Sequence, residues 1–301
     1  MKFVIVGFGI QGRKRKKILG KSCIGIVDIK NLKGSNYRKI EDVPLNLYQA
    51  VILCVPDKLK LTFINYCINN KKHVLVEKPL LFRNPKKLLT IEKKANNKGI
   101  QLAIAYNHRF EQSLIYLKSI IKKNKLGKIY NFKLKYLNGT AKNVFKTWRD
   151  KKGGVLTDLT PHLIDLVFSI FGNFDVRKID FVKKNLFENK SYDDAIICFV
   201  YKQTEFLIEV SYCNWKNTFE INVNGKKGSI KISSLKKWGN SKFSSFRRIL
   251  PSGVPIHQLK NFNGIDQSFK NEILNFKKLI KMKEKTNLER DYFINKFINK
   301  L

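Results

Sequence analysis

The chain has 301 residues, 43% of them hydrophobic, with 60 Lys and Arg against 23 Asp and Glu, for a formal net charge of +37. That length allows two domains with packed cores, but no run approaches the roughly 18 uninterrupted apolar residues of a membrane span and no secretory pattern opens the chain, so no membrane partner is expected and a cytoplasmic location is. The charge is spread along the chain, is carried mostly by Lys with ten Arg, and comes without helix-turn-helix, zinc-finger or RNA-recognition patterns, so a nucleic-acid partner is not expected either; steering of an anionic substrate or cofactor is a fair use of such a field.

Residues 3–6 form a short apolar strand, followed by a basic helical stretch at 14–19. Residues 24–27 are a second strand, and 50–55, apolar throughout, a central strand buried on both faces. Leu61, Ile64, Cys67 and Ile68 have helical spacing within 58–70. A strand at 74–76, a helix at 85–97 opened by Pro85, and a strand at 102–105 continue an alternation that means a parallel sheet with right-handed crossovers. From 128 to 138 the period changes to two, with Tyr130, Phe132, Leu134 and Tyr136 on one side. After a helix at 159–171 come strands at 179–182, 195–201, 206–212, 219–223 and 229–232, with Asn224-Gly225 as a turn, and helices at 269–280 and 292–298 close the chain. Successive strands without intervening helices predict a largely antiparallel sheet. The expected fold class is therefore α/β: a Rossmann domain with a doubly wound parallel sheet over 1–122, and an α+β domain with an open, largely antiparallel sheet over 123–301. Cys23, Cys54, Cys67, Cys198 and Cys213 are odd in number and lack C-x-x-C spacing, which fits thiols in a reducing compartment and no metal site.

Three local patterns carry chemistry. Gly7-Phe8-Gly9-Ile10-Gln11-Gly12 follows a strand and opens a helix, the context in which such glycines bind a dinucleotide: the first for the tight turn, the second for close approach of the pyrophosphate, the third for helix–strand packing. Asp28 ends the second strand, where a carboxylate accepts hydrogen bonds from a ribose 2′-hydroxyl and repels a 2′-phosphate, favouring NAD over NADP. Lys78, in Glu77-Lys78-Pro79, leaves the carboxyl end of a parallel strand, where open α/β sheets bind ligands, and Pro79 holds it extended. The competing reading is a surface lysine in a lysine-rich chain. Asp158 and His162, four apart, share a face if both are helical, with Pro161 tolerated in a first turn and Gly153-Gly154 as a flexible approach; alternatively Asp158 caps the helix and His162 packs beside Leu159 and Leu163.

Glu77-Lys78-Pro79 after Lys72-His73-Val74-Leu75-Val76, with the segment from Gly153 to His162 downstream, resembles the Gfo/Idh/MocA family, named for glucose-fructose oxidoreductase and inositol dehydrogenase. Tyr106-Asn107-His108-Arg109-Phe110, Leu126-Gly127-Lys128-Ile129 and Trp148-Arg149 also resemble family segments. The resemblance implies a nicotinamide-dependent dehydrogenase acting on a sugar, sugar nucleotide or cyclitol. Its catalytic residues would be Lys78, Asp158 and His162. The cofactor would meet Gly7, Gly9, Ile10, Gln11, Gly12, Asp28, Pro56, Glu77 and Lys78, and the substrate Lys78, Asn107, Arg109, Trp148, Arg149, Asp158 and His162. The residue types suit alcohol oxidation, in which a base takes the hydroxyl proton while hydride leaves carbon. Relatives are often homodimers or homotetramers, so a homo-oligomer is expected. One departure stands out: many members have His four residues after the proline that follows the third strand, and here Pro56 is followed by Lys60. Two other activities exist among such folds, an NAD-dependent glycoside hydrolase and a non-catalytic sugar or NAD sensor; sensors tend to lose the three catalytic residues, which this chain keeps.

Overall fold

The computed structural model describes residues 1–147, 149–150, 153–185 and 188–301. In chain order the elements are β1 (Phe3–Val6), α1 (Ile10–Leu19), β2 (Cys23–Val27), β3 (Ala50–Leu53), α2 (Asp57–Asn69), β4 (His73–Glu77), α3 (Lys86–Asn97) and β5 (Leu102–Ala105). There follow α4 (Gln112–Lys122), β6 (Ile129–Gly139), α5 (Ala141–Val144), α6 (Val155–Asp158), α7 (Thr160–Phe171), β7 (Asp180–Lys184), β8 (Asp194–Tyr201) and β9 (Thr204–Ser211). The chain ends with β10 (Cys213–Gly225), β11 (Gly228–Ser233), β12 (Ser241–Ile249), β13 (Gly253–Phe262), α8 (Ser268–Lys281) and α9 (Glu289–Ile298). They pack as two compact units, one of Met1–Asn107 with Phe269–Asn295, the other of His108–Ser268 with Lys296–Leu301.

In the first unit five strands form a parallel sheet in the order β2-β1-β3-β4-β5. β1 and β3 are buried at every residue, as their unbroken apolar runs require of strands covered on both faces. Phe3, Ile5, Ala50, Ile52 and Leu75 pack in one core with Ile273 and Phe276 of α8. The strand order reverses between β1 and β3, so the loops leaving their carboxyl ends flank the position where ligands bind in open α/β sheets.

In the second unit eight strands run β13-β12-β11-β10-β6-β9-β8-β7, every neighbouring pair antiparallel except β6 with β9. The two-residue period of β6 buries Phe132, Leu134 and Tyr136 and turns Asn131, Lys133 and Lys135 outward. Against the inner face lies α7, buried from Thr160 to Ile170; such a helix, apolar nearly all round, belongs inside a core. Phe171 meets Phe132 and Phe206 edge-on at 5.3 and 5.1 Å.

Five of these elements have no counterpart among the expected ones: α4, α5, α6, β12 and β13. The boundary expected near 122 falls at the end of α4, which buries Leu114, Leu117 and Ile120 and packs on α7 and β12 within the second unit. β13 buries only its last residue, so it has no covered face to impose an apolar period. No described helix is long and apolar enough to cross a membrane.

Candidate functional site

The glycine loop runs from β1 into the exposed N-terminus of α1. A Cβ on Gly12 would lie 2.1 Å from the Gly7 carbonyl oxygen, so the helix can start this close to the strand only with glycine there. A Cβ on Gly9 meets nothing within 4 Å, and Gly9, Ile10 and Gln11 are exposed, with no acidic residue in the first turn. Free space, first-turn amides and an absence of negative charge together fit a pyrophosphate. Asp28 stands beside this loop. Its Oδ2 accepts from the Phe8 amide at 2.6 Å, and its Oδ1 from Lys30 and Asn31 at 2.7 and 2.9 Å. Burial alone would raise its pKa, but these amide donors hold it below the ordinary carboxylate value. Oδ2 keeps a further lone pair, so Asp28 both braces the loop and retains capacity for a ribose hydroxyl.

Lys78 follows directly on β4 and is half-buried. Its two neighbours are anchored independently. Glu77 Oε1 accepts from Arg15 Nε and Nη2 at 2.8 and 2.6 Å, and Arg15 Nη1 pairs with Glu272 Oε2 on α8 at 2.6 Å. Burial disfavours the Arg15 charge, yet Glu77 and Glu272 outweigh it and push the guanidinium pKa up. On the other side, Lys60 Nζ donates to the Pro79 carbonyl at 2.6 Å and pairs with Asp57 at 2.9 Å, although Lys60 is 2% exposed. Burial lowers its pKa and Asp57 opposes the fall. The departure at Lys60 is thereby a tether for the segment carrying Lys78. Asn295 of α9 adds a third hold, donating to the Leu80 carbonyl and accepting from the Phe82 amide. Pro56 is the N-cap residue of α2. Glu77, expected at the cofactor, turns its Oε1 to Arg15.

In the second unit Asp158 and His162 do not share one helix: Asp158 ends α6, and His162 sits in the first turn of α7, with Leu159 between. Pro161 occupies that first turn as expected. Gly154 is required rather than flexible, since its φ is +55° and a Cβ would strike the Tyr192 carbonyl oxygen at 1.8 Å. Asp158 is not a helix cap. Its buried Oδ2 accepts from Tyr212 at 3.0 Å and pairs with Arg149 Nε at 3.1 Å. His162 is buried, stacked on His108 with ring centroids 4.3 Å apart and planes 24° apart, and 6.0 Å from the Tyr136 ring.

Of the remaining expected contacts, Arg109 grips a carboxylate as an arginine fork does, but the carboxylate is Asp165 of α7: Nε lies 2.8 and 2.7 Å from its two oxygens, and Nη2 also bonds it. That guanidinium is committed to holding α7. Asn107 is buried in the turn after β5, and Trp148 lies outside the described residues. In the first unit Arg15 and Glu272, which hold Glu77 beside Lys78, and in the second His108, Tyr136 and Tyr212, which stand by His162 or Asp158, were not singled out by spacing. His108 alone carried a signal, its place inside the Tyr106-Asn107-His108-Arg109-Phe110 segment.

The profile of an oxidoreductase family's NAD-binding Rossmann fold matches residues 1–106, and that of the same family's C-terminal alpha/beta domain matches residues 118–276. The chain belongs to the Gfo/Idh/MocA oxidoreductase family. Among Gfo/Idh/MocA relatives, scyllo-inositol 2-dehydrogenase (NADP(+)) IolW of Bacillus subtilis is 31% identical over 127 residues, 41% of this chain and 35% of its own length. Glucose-6-phosphate 3-dehydrogenase of the same organism is 27% identical over 149 residues, 48% of this chain and 42% of its own. The matches thus span well under half of either relative. Levoglucosan dehydrogenase, solved with NADH, superposes with a TM-score of 0.81 at 16% identity, covering 98% of this chain and 94% of that one, which speaks to the fold alone.

Proposed function

We propose that the chain is a nicotinamide-dependent dehydrogenase that oxidises a secondary alcohol of a sugar, sugar nucleotide or cyclitol, with NAD preferred to NADP. The observation that carries the reading is a buried imidazole, His162, kept in one orientation by stacking on His108, with Asp158 fixed by Tyr212 and Arg149 at the end of the preceding helix. It occurs in a chain that also presents an amine, Lys78, at the carboxyl end of a parallel strand beside a glycine loop.

Gly9, Ile10, Gln11 and Gly12 hold the pyrophosphate through helix-terminal amides, and Asp28 takes the adenosine ribose. When bound, the nicotinamide supplies the acceptor for the hydride that leaves the carbinol carbon. His162 accepts the hydroxyl proton, a task suited to an imidazole, whose ordinary pKa lies near neutrality. Lys78 donates to the same oxygen and stabilises the negative charge that grows there as the proton departs. Asp158 balances the positive charge that His162 gains. Asp28 supports the NAD preference because a 2′-phosphate would meet its carboxylate.

The test is a screen of the purified chain with scyllo-inositol, glucose 6-phosphate, levoglucosan and nucleotide-linked hexoses, each with NAD and with NADP, read as reduced cofactor formed. Turnover of at least one polyol is expected, with NAD bound about tenfold or more tighter than NADP. Complete silence with NAD demonstrably bound would point to a sensor, and tighter NADP binding would remove Asp28 from the ribose.

A further inference from the structure

Tyr136 is 4% exposed on β6, in an aromatic enclosure of His108, His162, Phe219 and Trp238 with ring centroids 5.4 to 6.0 Å away. Its phenolic oxygen accepts a 2.7 Å hydrogen bond from Lys237 Nζ, and the same ammonium stands 4.5 Å from the centre of the Trp238 ring. An ammonium has donors and no acceptor. The contact therefore uses a lone pair of the phenol and leaves its proton to be given elsewhere. Among the described residues it makes no hydrogen bond to an oxygen; Asp158, the carboxylate whose charge acts on it, accepts at Oδ2 from Tyr212 and pairs there with Arg149. Burial of a donor without an acceptor costs free energy, and proteins rarely keep one that has no use. The phenol is also a donor and not a base. Burial, and then the Asp158 charge, push its pKa above the ordinary tyrosine value, so it keeps its proton while the imidazole beside it works.

We propose that Tyr136 is a substrate-binding residue: its phenol, aimed by Lys237, donates a hydrogen bond to a second oxygen of the substrate, on a carbon next to the one being oxidised. This rests on the reading that His162 is the base. It narrows the substrate to a polyhydroxylated ring with a hydroxyl vicinal to the reacting one, and gives Lys237 a positioning role acting through Tyr136. A single alcohol on an otherwise apolar molecule would leave the phenol unused.

The experiment compares the full-length wild type with Tyr136→Phe, Lys237→Met and His162→Ala on scyllo-inositol and glucose 6-phosphate, and on analogues lacking the vicinal hydroxyl. Tyr136→Phe is expected to lower kcat/KM by about tenfold to a hundredfold, with NAD affinity unchanged and Tm equal to or above wild type, because the variant no longer buries an idle donor. On the deoxy analogue the two proteins are expected to be equally efficient, and Lys237→Met to show a smaller loss of the same kind. A merely structural phenol would instead give a lower Tm and a loss that persists on the deoxy analogue, and either result overturns the inference. Wild-type efficiency in Tyr136→Phe beside an inactive His162→Ala overturns it while sparing the reading of the reaction. A fully active His162→Ala overturns both.

Discussion

Lys78→Ala is expected to slow turnover by about a thousandfold while NAD stays bound. The amine is assigned to the oxygen on which negative charge appears, and a single preorganised donor at such a point is worth about 10²–10³ in kcat. Loss of orientation of the alcohol adds to that. The variant should fold, because neighbouring residues hold the segment: Arg15 holds Glu77, Lys60 holds the Pro79 carbonyl, and Asn295 holds Leu80. Steady-state kinetics on any alcohol found by the screen, with NAD titrated separately, separates the two effects. An unchanged kcat would remove Lys78 from the mechanism, and equal loss of NAD affinity would make it a cofactor ligand.

Arg15→Met is expected to have the largest effect on stability. Arg15 is fully buried, with Glu77 and Glu272 on either side at side-chain exposures of 12% and 4%. Removing the cation leaves two carboxylates sharing a low-dielectric site, and breaking a buried ion pair this way costs about 3–5 kcal/mol. For a protein of this size that is a fall of roughly 10 °C in Tm. Lysine would not substitute, since it cannot fork between two carboxylates. Adding Glu272→Gln to Arg15→Met should recover part of the loss, because one of the stranded charges is then gone. Thermal and urea unfolding of the two variants checks this. A loss within about 1 kcal/mol, the value of an exposed pair, would mean that water reaches the triad.

The Rossmann unit was readable because its chemistry is local. Unbroken apolar runs at β1 and β3 report burial on both faces, and the glycine spacing reports a strand-to-helix turn within six residues. The alternation in β6 reports one covered face just as directly. β13 left no such mark, because both its faces are exposed. α4 did leave one, Leu114, Leu117 and Ile120 at helical spacing, so its absence from the expected elements is an omission and not an ambiguity.

Lys78, Asp158 and His162 stood out by residue type and by neighbours in sequence. What fixes them did not, because the partners are remote in sequence. Arg15 and Glu77 are 62 residues apart, and Tyr212 and Asp158 54 apart. Nothing in a one-dimensional pattern pairs such residues. The same holds for Lys237 and Tyr136, 101 residues apart, where the tyrosine looked like one more apolar residue in an alternating strand. Lys60 was visible only as a departure from a family pattern, and its bond to the Pro79 carbonyl gives that departure a physical role.

The most direct test of the account is turnover of one alcohol by Lys78→Ala, His162→Ala and the double variant. Amine and imidazole that serve a single transition state fail together, so the double variant should be about as slow as the slower single one. Losses that multiply, or a wild-type rate in either single variant, would contradict the claim that the two groups act on the same carbinol.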